Sequence, residues 1–358
     1  MTLNENLTNF FDKSSLAFMK TIPFNALIFD LRSKYMCKFG CKNFQRKYSC
    51  PPASLSIYNK IKNNTYQWAT LFSTTSEIPE NTTYFKRRIL NYRDELLMQK
   101  IVNKIDNIFQ IHNSNHVTLS NGSCHKCKIC SFIENQPCKK PEYKYASMEA
   151  VMIDCQKTMH KAGFDFQMPN NGSINRCGCI LSNEKEISDL TLNKKESLQS
   201  LIIPSKKDAV NMCKKLLKEY PKFFQEVYIL PINKIDKNDS ICNLKCKRYN
   251  KNFSCPPYSK KIPLNLWNYA IIWKWRKNKF KKYRYNLALK KIHSAFFSLG
   301  FYFSLSLRDC YCDECDICTY SVDKKNFCNY RKMLAPSMQS QRIDPINFGN
   351  GKYGIELL

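Results

Sequence analysis

An α+β fold built twice in tandem is what the sequence predicts, and three observations predict it. The chain has 358 residues with 43% hydrophobic content, which suits about two globular domains. A pattern of cysteines occurs twice in the same order. Apolar runs with strand-like and helix-like spacing also follow one another in the same order in both halves.

The repeat is read most directly from the cysteines. Cys37, Cys41 and Cys50, followed by Pro51-Pro52, spell C-x3-C-x8-C-P-P, and Cys242, Cys246 and Cys255, followed by Pro256-Pro257, spell it again. Ser49 and Ser254 precede the last cysteine of each block. A second block reads C-x2-C-x2-C: Cys124, Cys127 and Cys130 with Cys138 trailing, and Cys312, Cys315 and Cys318 with Cys328 trailing. A third match pairs Ser147-Met148 and Ile153-Asp154 with Ser337-Met338 and Ile343-Asp344. The first module therefore spans 1–181, a polar linker 182–204, and the second module 205–358. The second module reads as truncated, because it stops soon after its Ile-Asp pair while the first continues into a hairpin-like stretch, Asn170–Leu181. Duplication of this kind predicts that the modules pack as a pseudo-dimer.

Within each module the elements follow in order. Ala26–Leu31 and Val227–Ile232 are β-prone runs before the first cysteine block, and Ala69–Phe72 and Ala270–Trp273 read as short buried strands. Ile89, Leu90, Leu97, Ile101, Ile105, Ile108 and Phe109 fall at helical spacing, as do Leu287, Leu289, Ile292, Phe296 and Phe297. Val117–Leu119 and Phe303–Leu307 lead as strands into the second cysteine block, after which Ser147 and Ser337 are expected as helix N-caps.

Nineteen cysteines in a long chain whose first twenty residues lack a basic start and an apolar core point to reduced thiols that bind metal, and to a cytoplasmic location. No apolar run approaches the roughly 18 residues of a membrane span, so no membrane partner is expected. A C-x2-C-x2-C turn presents three thiolates to neighbouring corners of an iron–sulfur cube, with the fourth ligand supplied from elsewhere. The Pro-Pro after the first block is stiff, extended and without amide donors, and can hold its cysteine against a site. Seven matched cysteines per module give one four-cysteine site and one three-cysteine site, whose eighth ligand is Cys155, Cys177, Cys179 or Cys310, or is lacking, which would leave an open iron. Two to four 4Fe–4S clusters per chain follow. Zinc is the alternative, although zinc sites are more often built from paired C-x2-C knuckles. The unmatched Cys155, Cys177, Cys179, Cys213 and Cys310 are expected as small core residues rather than ligands.

Other chemistry is sparse. His125 sits in the Cys124–Cys127 turn, but its counterpart is Asp313, so the module does not require it. Gly349, Gly351 and Gly354 spell G-x-G-x-x-G with too few residues after them for a phosphate-binding helix. One carboxylate per module, Asp154 or Asp344, is no acid–base pair and is expected to cap or to hold a loop. The net charge of +28 favours an acidic partner, a redox protein or enzyme. Trp273–Tyr285 interleaves cations with aromatics in a way that suits RNA, and Tyr84–Arg88 is a weaker version; a strand end running into a solvated basic helix start is the plainer expectation.

These blocks, with Ser147–Ala150 (Ser-Met-Glu-Ala), resemble an uncharacterised family of predicted metal-binding proteins found in anaerobic archaea and bacteria. The resemblance covers both halves and implies metal binding and iron–sulfur clusters, but no settled reaction. The chain departs from the pattern in its shorter second module and in Gln339-Ser340, where Glu149-Ala150 stand in the first. The leading expectation is an iron–sulfur protein that moves electrons to an anaerobic enzyme or serves its assembly. The alternatives are an enzyme with an open-site cluster and a zinc-stabilised RNA-binding protein.

Overall fold

The computed structural model describes residues 2–63, 66–112, 114–168, 172–183, 190–191, 204–221, 223–235, 249–259, 261–276, 283–308, 318, 322, 328, 335–341, 343 and 352–358. It divides into two compact units, residues 1–37 with 43–201, and residues 38–42 with 202–358.

The first unit runs α1 (Leu3–Asp12), β1 (Phe18–Pro23), α2 (Arg32–Lys38), α3 (Leu55–Asn63), β2 (Trp68–Glu77), α4 (Tyr84–Ile111), β3 (His116–Ser120), β4 (Ala146–Ser147), α5 (Cys155–Lys161), β5 (Ser173–Ser182) and β6 (Leu190–Thr191). Its sheet has the order β4-β3-β5-β2-β1-β6. β2 and β5 pair antiparallel over their whole lengths, from Trp68↔Ser182 to Glu77↔Ser173. β3 is also antiparallel to β5. β2 and β3 are therefore parallel and joined through α4, with β5 inserted between them, a split β-α-β unit.

Alternation along the strands feeds two cores. Phe72 and Ile180 face Met98, Ile101, Val102, Ile105 and Phe109 of α4 and Leu3, Leu7 and Phe11 of α1. Leu71, Leu119, Cys177, Cys179 and Leu181 face Met159 of α5 and Ile61 of α3. With both faces covered, the central strands are buried on alternate and successive residues alike. α1 begins with a capping box in which Thr2 Oγ1 accepts from the Glu5 amide at 3.2 Å and Glu5 accepts from the Thr2 amide at 2.8 Å.

The second unit runs α6 (Lys206–Glu219), β7 (Phe224–Pro231), β8 (Tyr269–Trp275), α7 (Tyr283–Ser298), β9 (Leu305–Arg308) and β10 (Lys352–Leu357), with sheet order β7-β8-β10-β9. This is the order β1-β2-β5-β3 of the first unit, and all three pairings are again antiparallel. Individual hydrogen bonds repeat as well. The amides of Met148 and Met338 donate to Ser120 and Arg308, both at 2.8 Å, and those of Gln45 and Asn250 donate to Pro51 and Pro256, also at 2.8 Å. Gln45 and Asn250 both have positive φ, 59° and 56°.

Several expectations are corrected. Ala26–Leu31 is not a strand: the first strand lies upstream at β1, and Phe24–Ala26 is a 3-10 turn that precedes extended chain. Asn170–Leu181 contributes the single long strand β5 to the middle of the sheet rather than a hairpin. Its equivalent β10 completes the second sheet, so the shortening of the second module is internal: Gly354 lies 11 positions after Ile343, whereas the equivalent Gly178 lies 25 positions after Ile153. Ser147 and Ser337 do not cap α-helices. Their hydroxyls accept from Ala150 and Ser340 at 3.1 Å in 3-10 turns, and the cap of α5 is Asp154, which accepts from Lys157 at 3.0 Å. Part of the expected linker, Leu190–Thr191, pairs with β1. Pro51-Pro52 and Pro256-Pro257 are cis and lie in turns, not in extended chain. Gly178 and Gly354 occupy the same place in β5 and β10, where a Cβ would overlap the rings of Phe72 and Trp275. That accounts for Gly354 in a strand, not a phosphate loop.

Each unit also holds one imidazole–carboxylate pair between its long helix and its sheet. Asp106 of α4 accepts from His116 Nε2 at 3.0 Å, from Thr118, from Gln110 at 2.6 Å and from Tyr145 at 3.2 Å, and His116 Nδ1 meets the Ser114 carbonyl at 2.7 Å. In the second unit His293 of α7 meets Glu356 of β10 at 2.8 Å, and Ser306 donates to the same carboxylate. Counting back from Phe109 and Phe296, whose carbonyls accept equivalent amides, places Asp106 and His293 at one position. The pair is thus kept with its charges exchanged.

Burial opposes the charge on both partners. The hydrogen bonds outweigh it, so Asp106 lies below the usual carboxylate range and His116 above the usual imidazole one. The raised imidazole contributes stability that is complete below its unfolded value of about 6.5 and is lost as pH climbs through its folded value; the Asp106 contribution is complete above about 4 and is lost as pH falls. Asp106→Ala is expected to cost about 3 kcal/mol in denaturant unfolding, because it strips the acceptor from buried donors. His116→Gln is expected to flatten the decline in stability as pH rises above about 6.5; a wild-type slope in that variant would refute the assignment.

Candidate metal centre

The two cysteine blocks of the first module are brought together by residues 47–49. Lys47 Nζ donates to the Cys124 carbonyl. Tyr48 OH donates to the Gln136 carbonyl at 2.6 Å, and its ring meets Phe132 edge-on at 5.1 Å. Ser49, 1% exposed, accepts from the Cys124 amide on its hydroxyl at 2.9 Å and from the Ser147 amide on its carbonyl at 3.2 Å. The second module repeats the latter bond, Ser337 to Ser254, at 3.1 Å.

Helix α4 buttresses the loop from behind. Gln99 donates to the Ser123 carbonyl at 2.9 Å and accepts from the His125 amide at 3.3 Å. Glu95 pairs with His125 Nε2 at 2.6 Å and with Arg176 of β5 at 3.5 Å. His125 is therefore held by a carboxylate on α4 and is a packing residue of the turn. Beyond Cys130 a 3-10 turn, Ser131–Glu134, and Asn135 at φ 54° reverse the chain, so that Ser131 Oγ donates to the Pro137 carbonyl at 2.7 Å and Cys138 returns toward the loop.

Cys50 is buried, and Cys37, Cys41, Cys124, Cys127, Cys130 and Cys138 are half-buried, with Cys41 in the 38–42 segment grouped with the second unit. In the second module Cys255 and Cys328 are buried and Cys318 is half-buried; Cys242, Cys246, Cys312 and Cys315 lie outside the described residues, as does Cys310. Among the described residues no three His, Cys, Asp or Glu side chains converge tightly enough to enclose a metal. Cys124, Cys127 and Cys130 do lie within electrostatic reach of one another. Burial pushes the Cys124 thiol up, the Lys126 amide and the Lys47 cation pull it down, and the neighbouring Cys127 and Cys130 add to the rise. Soft thiols crowded on one turn beside a cation, with the first carboxylate of the loop only at Glu134, form a donor set that suits a thiolate-bound metal centre.

Four unmatched cysteines lie in core. Cys155, Cys177 and Cys179 are fully buried in the first unit, and Cys213 is buried in the second, its thiol pushed up to about 12 by burial. Contact with Cys177, together with burial, holds the Cys155 thiol well above the ordinary range. The basic aromatic stretch is divided. Trp273 and Trp275 are buried against Phe224, with ring centroids 4.9 and 5.2 Å away, and so are not available for base stacking, while residues 277–282 lie outside the described residues. Sequence reasoning did not find Ser49 as the joint between the blocks; its recurrence as Ser254 was the signal that could have done so.

Ser49→Ala removes the acceptor for the Cys124 amide and is expected to destabilise the chain by about 1–2 kcal/mol and to lower the metal bound per chain. Thermal melts and elemental analysis of the same samples check this; full metal content at unchanged melting temperature would show that Ser49 does not position the loop.

No curated protein and no solved structure matches the chain. No helix among the described residues is long and apolar enough to cross a membrane. One family matches, described as "Predicted metal-binding protein (DUF2284)", over residues 20–182 and again over 228–348. Each match contains the cysteine blocks of one module, and together they cover most of the chain, so the chain belongs to this family of predicted metal-binding proteins, as a tandem of two modules.

Proposed function

We propose that the protein holds iron–sulfur clusters on its cysteine loops and transfers electrons, or serves the assembly of an enzyme that does. The observation that carries this reading is the three-thiol turn Cys124–Cys130 docked on the first cysteine block through Ser49, with Cys138 turned back toward it. Three thiols on one such turn, with a fourth from outside it, favour a 4Fe–4S cube over tetrahedral zinc. A cluster bound there would supply one-electron chemistry. The chain's own contribution is positional and electrostatic: Ser49 fixes where Cys124 lies, Gln99 and Glu95 fix the turn, and Lys47 and Lys126 set positive charge beside the thiols.

The modules differ in that charge. The second block of the first module carries His125, Lys126, Lys128, Lys139 and Lys140, whereas that of the second carries Asp309, Asp313, Glu314 and Asp316. Positive surroundings favour the reduced, more negative state, so the first module is assigned the higher potential.

Protein purified without oxygen is expected to contain iron and acid-labile sulfide in equal amounts, about eight to sixteen of each per chain. Zinc without sulfide would overturn the reading. A potentiometric titration followed by EPR is expected to give two separable waves, with the higher lost in Cys124→Ser; a single wave would refute the difference between modules.

A further inference from the structure

The N-terminal third of α4 does not behave as its spacing predicts. Ile89 belongs to the apolar pattern of the helix yet is 53% exposed, and Phe85 and Tyr92, on the same helix face, are 71% and 49% exposed. α7 as described begins at Tyr283, the position equivalent to Leu96, so this stretch has no described counterpart in the second module. Residues 84–93 contain Lys86, Arg87, Arg88 and Arg93 and no carboxylate. The stripe ends on the cysteine loop, where the Tyr92 ring meets His125 edge-on at 5.3 Å, and beyond His125 the same loop exposes Lys128 and Ile129.

We propose that Phe85, Ile89 and Tyr92 form a docking face for a small acidic electron-transfer protein. Contiguous exposed apolar side chains rimmed by charge mark interaction sites, and aromatics next to arginine are the residues that most often anchor them. Over residues 84–93 the charged side chains are all basic, while Asp94 and Glu95 beyond them are paired with Arg93, His125 and Arg176, so the partner surface it fits is an apolar patch ringed by carboxylates. Ile89, at the centre of the stripe, offers no ring for base stacking, which favours a protein over a single-stranded nucleic acid. The choice of an electron-transfer partner rests on the iron–sulfur reading; the position and chemistry of the face do not.

The test is calorimetric titration of the full chain, purified without oxygen, with a small acidic ferredoxin as the probe. Saturable one-to-one binding is expected, weakening at least tenfold between about 0.05 and 0.3 M salt. Phe85→Ala and Ile89→Asp are each expected to weaken it about tenfold with circular dichroism unchanged. Ile111→Asp, at the far end of the same helix and 75% exposed in the native chain, is expected to leave binding unaltered. Absence of ferredoxin binding by iron-loaded protein, or wild-type affinity in Ile89→Asp, would overturn the proposal. So would an oligouridylate that binds with the same sensitivity to Ile89→Asp, which would assign the face to nucleic acid. Metal analysis of the same samples separates the two readings: zinc in place of iron removes the cluster, while ferredoxin binding that still depends on Ile89 keeps the face.

Discussion

Ser49 joins three segments that are far apart in the chain. Its own block carries Cys50, its hydroxyl receives the amide of Cys124, and its carbonyl receives the amide of Ser147, where the Ser-Met turn enters the sheet beside β3. A buried hydroxyl in this place has few substitutes. Threonine would add a methyl group to a site with 1% exposure, and alanine would leave the Cys124 amide without its partner. The remaining features of the site are reinforcement: Lys47 and Tyr48 clamp the loop from the same side, while Gln99 and Glu95 hold it from α4.

Among the described residues, what the two modules share is concentrated in this region and in the sheet that supports it. The strand order, the left-handed residue at Gln45 or Asn250, the cis Pro-Pro, the Ser-to-Ser amide bond and the glycine in the central strand all recur. What differs in the sequence is the spacing from the Ile-Asp pair to the last strand and the charge of the second cysteine loop. A fold that keeps its sheet and the Ser-to-Ser bond while altering loop charge sets similar cysteine patterns in different electrostatic surroundings.

The repeat, the α+β class, β2, α4, β3 and their counterparts were legible because apolar spacing and cysteine spacing are local signals. β5 and β10 were not recognised as central strands. Buried on both faces, they lack the polar–apolar alternation of a surface strand, and β5 carries Cys177, Gly178 and Cys179 where β-branched residues would be expected. Ala26–Leu31 has strand composition, but its partner is a loop rather than a strand, with Phe29 bridging Ile153. Ile89 reads as core because a helix pattern does not reveal where the sheet beneath it stops. Of the site, the ligand candidates were legible and their supports, Gln99, Glu95 and Arg176, were not, since each acts across a long separation in sequence.

The exchanged imidazole–carboxylate pair has a consequence for how a duplicated chain finds its structure. Two copies of one topology on a single polypeptide invite each long helix to close on the other copy's sheet, a characteristic misassembly of tandem proteins. In such an exchange Asp106 would face Ser304 and Glu356, two carboxylates with no imidazole, and His293 would face His116 and Ile180, two imidazoles with no carboxylate. Two like groups meeting there would have to shift their protonation instead of pairing, which disfavours the crossed product. The inverted pair is therefore complementary only within each unit, and so favours closure of each helix on the sheet encoded beside it.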